Sequence, residues 1–316
     1  MASDGGGQTF TLSPEDSLTE ALEEVLPGDT YLLTPGIYNE RIELSTVGGN
    51  EPITIRGEGE GAILDGQREL EMGFWCRNCT TFIVENLEIR NYTGMGIGFE
   101  GCQSLRIGNL TVHSNGFAAQ LRSWEIEGYG IQIDECSGVV VEENLVYENG
   151  PNPKTSRTPM GTGIDVFGCS GCRIINNEVY SNIGVMLVED SVNVLVEGNE
   201  IYGNDVDATD VSDWWDAGLW VDGGYDITIR GNTFRDNLGP GIQISNEDDQ
   251  EIYGYVVEDN IITGNYFGLY VWGFGSDDLP PENVLRLEGN AISGNRDFDS
   301  WVKVGWCPPP EPCEDE

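Results

Sequence analysis

The sequence predicts an all-β protein: a single-stranded right-handed parallel β-helix of about ten coils with an N-terminal capping helix. Three observations carry this expectation. An asparagine-centred phrase recurs along the chain, a strand opening with glycine plus an aliphatic residue precedes nearly every copy, and the aliphatics of those strands alternate.

The phrase appears as Glu85-Asn86-Leu87-Glu88-Ile89-Arg90-Asn91, then Gly108-Asn109-Leu110-Thr111-Val112. It returns as Glu143-Asn144-Leu145-Val146-Tyr147-Glu148-Asn149 and Asn176-Asn177-Glu178-Val179-Tyr180-Ser181-Asn182, with further copies at Asn199, Asn232, Asn260 and Asn290. The glycine-led strands begin at Gly96-Ile97, Gly130-Ile131, Gly163-Ile164, Gly184-Val185, Gly218-Leu219, Gly241-Ile242 and Gly268-Leu269. The shortest repeats take 21 to 23 residues, room for three short strands and their turns. Alternation as in Ile131-Gln132-Ile133-Asp134 buries one face, and only a stack of such units makes a continuous core. Asparagine suits the tight turn, because it tolerates a left-handed backbone and can bond the next asparagine of the stack. Asn86, Asn109, Asn144, Asn177, Asn199, Asn232, Asn260 and Asn290 are expected to share one turn.

The ends agree. Residues 1–16 read as an appended start, Met1-Ala2-Ser3, followed by a flexible glycine tether left after removal of an export signal. Residues 17–305 form the β-helix domain. Its cap is an amphipathic helix over Ser17–Leu26, with Ser17 as N-cap and Glu20 completing a capping box. Residues 306–316 form a Pro- and Cys-rich acidic tail. With the opening segments Pro52-Ile53-Thr54-Ile55-Arg56-Gly57-Glu58-Gly59 and Ile63-Leu64-Asp65-Gly66, the repeat resembles the pectate lyase superfamily of secreted polysaccharide lyases. The resemblance covers about residues 28–305. It implies a polysaccharide substrate bound over one sheet, and an Arg or Lys base; the local motifs that surround that base in the known lyases are absent here.

Charge narrows the partners. Acidic residues number 55 against 15 basic ones, a formal net charge of −40, and only Lys154 and Lys303 are lysines. Repulsion on that scale excludes nucleic acid and anionic membranes, and no apolar run approaches the roughly 20 residues needed to span a bilayer. The expected state is an exported monomer, extracellular or at the cell surface. Ca²⁺ is the cofactor that such carboxylates would take.

Eight cysteines are present. Counting six residues from Gly73, Gly96, Gly130 and Gly163 reaches Cys79, Cys102, Cys136 and Cys169, which therefore stack in successive coils, close enough for disulfides. Two pairings fit: Cys79–Cys102 with Cys136–Cys169, or Cys102–Cys136 flanked by Cys76–Cys79 and Cys169–Cys172. Cys307–Cys313 closes the tail in either. A zinc site from Cys76, Cys79, Cys169 and Cys172 is the competing reading.

Function must lie on outward positions and in insertions. Insertions at 116–129, 150–162 and 205–217 leave one turn, and shorter ones at 246–255 and 273–283 leave another, so they wall a groove over the glycine-led strands. Alternation places Gly98, Gln132, Asp165, Met186, Trp220, Gln243, Tyr270 and Lys303 in one outward column. The next holds Glu100, Asp134, Phe167, Val188, Asp222, Ser245 and Trp272. Glu100, Asp134 and Asp165 could hold a metal ion, act as acid and base, or remain solvated. Catalysis is assigned to Asp134 and Asp165 with Arg122, Lys154 and Arg157 from the insertions. Substrate binding is assigned to Trp124, Trp214, Trp215, Trp220, Asp222, Gln243, Tyr270, Trp272 and Lys303, the aromatic rings stacking on sugars. Acids spaced along 205–213 offer a second place for Ca²⁺. His113, the single histidine, reads as structural.

The reaction that suits these groups is β-elimination at a uronic acid by a polysaccharide lyase. A glycoside hydrolase working through Asp134 and Asp165, a C5-epimerase, and a non-catalytic glycan-binding surface protein stay open beside it.

Overall fold

The computed structural model describes residues 7–117, 126–150, 159–160, 162–184, 186–204, 217–246, 252–274 and 279–302. Within them the chain winds as a right-handed parallel β-helix. Three parallel sheets of 10, 11 and 10 strands run its length, and each coil gives one strand to each. One coil is Met95–Glu100, Gln103–Gly108 and Thr111–His113; the next is Tyr129–Asp134, Val140–Glu142 and Leu145–Tyr147. In the glycine-led sheet, Ile97, Ile131, Ile164, Met186, Leu219, Ile242 and Leu269 stack inward at one register position. All seven are buried, each worth about 1.5–3 kcal/mol of apolar transfer.

Asparagines run the length of two turns. Asn144, Asn177, Asn199, Asn232, Asn260 and Asn290 form one ladder. The Asn177 backbone N–H and Nδ2 both donate to Asn199 Oδ1, at 2.8 and 2.9 Å, and Nδ2 also donates to the Val141 carbonyl at 3.0 Å. Asn86 and Asn109 share the turn but not the ladder. They sit one position earlier, in the left-handed region at φ 58 and 52, and the slot itself holds Leu87 and Leu110. The ladder opens where the Leu110 N–H donates to Asn144 Oδ1 at 2.9 Å. A second ladder joins Asn115, Asn149, Asn182, Asn204, Asn237, Asn265 and Asn295. It explains the glycines. A Cβ at Gly130 would stand 2.6 Å from the Gly163 carbonyl oxygen and 2.9 Å from Asn149 Nδ2, so this strand needs a glycine there.

The cap is shorter than expected. The helix covers only Leu18–Ala21, with the Glu20 N–H donating to Ser17 Oγ at 3.3 Å. The reciprocal partner is Glu40 rather than Glu20: its carboxylate accepts from the Leu18 and Thr19 N–H groups and the Ser17 and Thr19 hydroxyls. Leu18, Leu22 and Val25 still close the apolar end of the stack.

The cysteine column forms in register. The Cys79 N–H donates to Cys102 Sγ at 3.2 Å and the Cys102 N–H to Cys136 Sγ at 3.3 Å. Cys76 and Cys79 are joined in a disulfide, which rules out the Cys79–Cys102 pairing. Cys102, Cys136, Cys169 and Cys172 are buried thiols. Contact with Cys136 lowers the Cys102 thiol against the pull of burial, and contact with Cys102 pushes Cys136 far up. Cys172 and Cys169 relate in the same way. Cys76 lies with Cys79 and Cys102, apart from any zinc set with Cys169 and Cys172. Cys307 and Cys313 lie outside the described residues.

Candidate active site

The floor of the expected groove is the outer face of the glycine-led sheet. Register gives one outward column as Trp75, Gly98, Gln132, Asp165, Leu187, Trp220, Gln243 and Tyr270. The other reads Arg77, Glu100, Asp134, Phe167, Glu189, Asp222 and Ser245. Three positions differ from the sequence reading. Met186 and Val188 point into the core, and Leu187 and Glu189 hold their places outside. The cause is Gly184, which precedes the expected glycine position by one residue, so a count from it lands on the inner face. Trp301, rather than Lys303, pairs with Tyr270.

Asp134 lies beside Glu100, and Asp165 is diagonal to it, as their register requires. Asp134 Oδ1 is buried with no hydrogen-bond partner. Burial, followed by the Glu135 and Glu100 charges, holds the Asp134 carboxyl above the usual carboxylate range. Asp165 is buried, and its Oδ2 accepts from Gln132 Nε2 at 3.4 Å. Glu100 is engaged elsewhere: Arg77 Nε and Nη2 donate to its Oε2 at 3.0 and 2.9 Å. Arg77 was legible, standing four residues after Gly73 as Glu100 stands after Gly96.

These acids do not assemble a metal site in this arrangement. Among the described residues, the one group of three or more candidate ligands with atoms within 4.8 Å of one another is Cys76, Cys79 and Cys102, not Glu100, Asp134 and Asp165. With Glu100 turned to Arg77 and Asp165 to Gln132, the three carboxylates do not fit Ca²⁺ as they stand.

Further along the groove, Trp220, Tyr270, Trp272, Phe267 and Ala217 form an apolar cluster separate from the coil interior. Trp220 is 8 % exposed and Tyr270 and Trp272 1 % each, so their ring faces are covered. Burial raises the Tyr270 phenol to about 12. Trp220 Nε1 donates to Ser245 Oγ at 2.7 Å, and Ser245 Oγ donates to Asp222 Oδ1 at 2.7 Å. Sequence alternation put Ser245 in its column but gave no sign of this bridge.

The insertions after Asn115 and Asn149 meet. Ile126–Glu127 pairs in parallel with Pro159–Met160, so both stand at one turn beside the strands of Asp134 and Asp165. Arg122, Trp124, Lys154, Arg157, Trp214, Trp215 and Lys303 lie outside the described residues, as does the 205–213 segment. His113 stacks on Tyr147 with ring centroids 4.7 Å apart and its Nε2 lies 3.2 Å from Glu88, on a different sheet from the groove.

The family described as "Right handed beta helix region" matches residues 73–295. The chain belongs to it. No curated protein sequence matches the chain. Among solved structures, the right-handed β-helix is shared with pectate lyase Pel9A, at 15 % identity over 94 % of this chain and 77 % of that one, TM-score 0.66. Alginate lyase from Paenibacillus sp. str. FPU-7 aligns at 14 % identity over 94 % of this chain and 99 % of that one, TM-score 0.59. The A-module of the Azotobacter vinelandii mannuronan C-5 epimerase AlgE6 aligns at 16 % identity over 96 % and 92 %, TM-score 0.50. At these identities the likeness is one of fold. No helix among the described residues is long and apolar enough to cross a membrane.

Proposed function

We propose that this β-helix is an exported polysaccharide-active enzyme, cleaving by β-elimination at a uronic acid in the groove over its glycine-led sheet. The observation that carries the reading is Asp134. Its half-buried carboxyl lies in the outward column of the glycine-led sheet, with one oxygen unpartnered and its proton affinity raised by burial and by the Glu135 and Glu100 charges, which suits a proton-transfer group. In the reaction a base takes the C5 proton, the C4–oxygen bond breaks, and its electrons leave with the oxygen, which takes up a proton. The C5 electrons form the C4=C5 double bond.

Asp134 serves as the proton-transfer group, and the bond from Gln132 fixes Asp165 beside it. Arg122, Lys154 and Arg157 belong to the two insertions at this turn and supply the cation that neutralises the uronate. Two structures that share this fold are named as a pectate lyase and an alginate lyase, which supports this chemistry. A panel of polysaccharides assayed for new ultraviolet absorbance and for new reducing ends tests it. Elimination gives both signals and hydrolysis gives reducing ends alone. Neither signal on a glycan that binds would leave C5-epimerisation or binding without catalysis, and the elimination reading would fall.

A further inference from the structure

On the N-terminal side of Asp134, the outer face of the glycine-led sheet carries an indole that the chemistry at Asp134 does not use. Trp75 stands in the outward column of the strand Met72–Arg77, with Glu43 beside it in register on one side and Gly98 on the other. It is half-buried, whereas Trp220 and Trp272 are covered. A Cβ at Gly98 would stand 2.6 Å from Trp75 Cε3, Trp75 Cζ3 and Met95 Sδ alike, so the indole fills the place where a side chain of the next strand would project. Trp75 therefore leans across that strand, with the Met95 thioether beside it, and the glycine is what admits it. Glycine inside a strand weakens it and marks a close approach to the backbone.

The groups around the indole define what would rest on it. Arg41 Nη2 lies 3.2 Å from Glu43 Oε2 on one side. On the other, the Arg77 guanidinium stands 5.8 Å from the indole centroid and donates through Nε and Nη2 to Glu100 Oε2. The Arg77 and Glu100 side chains are 51 % and 35 % exposed, and their pairing leaves Arg77 Nη1 as a donor and Glu100 Oε1 as an acceptor. A pyranose ring matches this set. Its C–H face packs on the indole, and its hydroxyls, each both donor and acceptor, bond to the guanidinium and the carboxylate. Each arginine beside Trp75 is matched by an acid, so recognition here is of ring and hydroxyls rather than of charge.

We propose that Trp75, seated over Gly98 and bordered by Arg77 and Glu100, is the stacking platform of a sugar subsite on the N-terminal side of Asp134. The proposal rests on the reading of this sheet face as a polysaccharide site. Arg77, Glu100 and Asp134 follow one another in register, so two strand spacings separate Arg77 from Asp134, roughly 10 Å or about two sugar rings. The platform thus holds a unit of the chain about two residues from the one that reacts, and it selects for chain length rather than for charge.

The test compares the wild type with Trp75→Ala, Trp75→Phe and Gly98→Ala, each confirmed folded by its circular dichroism and melting transition. Hexamers of galacturonate and mannuronate, with cellohexaose and xylohexaose, are titrated by calorimetry. The hexamer that the wild type binds most tightly should weaken at least about tenfold in Trp75→Ala and at most about threefold in Trp75→Phe, which keeps a ring. Gly98→Ala retains the tryptophan but displaces it, and should lose at least about fivefold. Added salt should leave these ratios unchanged. A Trp75→Ala variant within twofold of the wild type on every hexamer that binds overturns the proposal, and so does a wild type that binds none of them. The two readings fail separately. Binding that depends on Trp75 without any cleavage product keeps the subsite and removes the lyase, whereas elimination at an unchanged kcat/KM in Trp75→Ala does the reverse.

Discussion

Trp220 and Asp222, two residues apart on one strand, are tied together through Ser245 of the next coil, whose hydroxyl accepts from the indole and donates to the carboxylate, both at 2.7 Å. One hydroxyl thus fixes a buried indole and the carboxylate two residues along. Ser245→Ala should leave the buried indole N–H without its partner. The expected loss is about 1–3 kcal/mol in urea unfolding, with little change in the slope. Unaltered stability would mean that the bridge is replaceable by water.

The asparagine ladder makes a sharper demand. Asn177 receives the N–H and Nδ2 of Asn144 and gives its own to Asn199 and Val141, all while 2 % exposed. Leucine fits the slot sterically, as Leu87 and Leu110 show in the first coils. Asn177→Leu should nevertheless destabilise by about 2–4 kcal/mol, because it strands several buried backbone groups at once. A loss below about 1 kcal/mol would show that packing, and not the ladder, holds the turn.

The repeat made the fold legible. Alternation names the inner face, and the glycine count places Cys79, Cys102, Cys136 and Cys169 in one column. The same count failed at Gly184, where a glycine one residue early shifted Met186 and Val188 onto the outer face. In the site, Asp134 beside Glu100 and Asp165 on the diagonal follow from register alone. The Arg77–Glu100 pair, the Trp220–Ser245–Asp222 chain and the burial of Tyr270 and Trp272 do not. They depend on which rotamers meet across coils and on what covers the sheet, and a one-dimensional period carries neither.

Cysteine chemistry gives a direct check on the column. Cys102, Cys136, Cys169 and Cys172 are at most 2 % exposed, so alkylation of the native protein should leave them unlabelled. Denaturant alone should open all four to iodoacetamide, and Cys76 and Cys79 should follow only after reduction. Peptide mapping by mass spectrometry reads each site separately. Finding Cys102 joined to Cys136, or either of them labelled in the native state, would contradict the arrangement.

Calcium is expected to meet competition at the acids. Any ion held by Glu100, Asp134 and Asp165 would have to displace Arg77 from Glu100. Chelation at fixed ionic strength should therefore shift the melting temperature of the wild type and of Glu100→Gln equally, while Arg77→Ala, which frees Glu100, should gain a calcium-dependent rise of its own. A fall in wild-type melting temperature on chelation that Glu100→Gln abolishes would place the ion at these acids after all.

The last prediction separates stability from catalysis at Asp134. Its carboxyl is raised in the folded protein, chiefly by burial and then by Glu135 and Glu100. The native state thus holds the proton more tightly than the unfolded chain, whose value is about 3.9. By linkage, stability is highest at and below that unfolded value, falls as pH rises toward the folded value, and stays lower above it. Asparagine mimics the protonated acid without the titration. Asp134→Asn should therefore melt with the wild type at pH 3 and about 1–3 °C above it at pH 7, a modest gain because solvent screens a half-exposed carboxyl. Turnover on a confirmed substrate should fall by at least about 100-fold with KM little changed, since a lost proton-transfer group acts on the transition state. A variant that is more stable at pH 7 and equally active would make Asp134 a buried surface acid and move the proton transfer to another residue of the groove. A variant less stable at pH 7 would contradict the raised carboxyl itself.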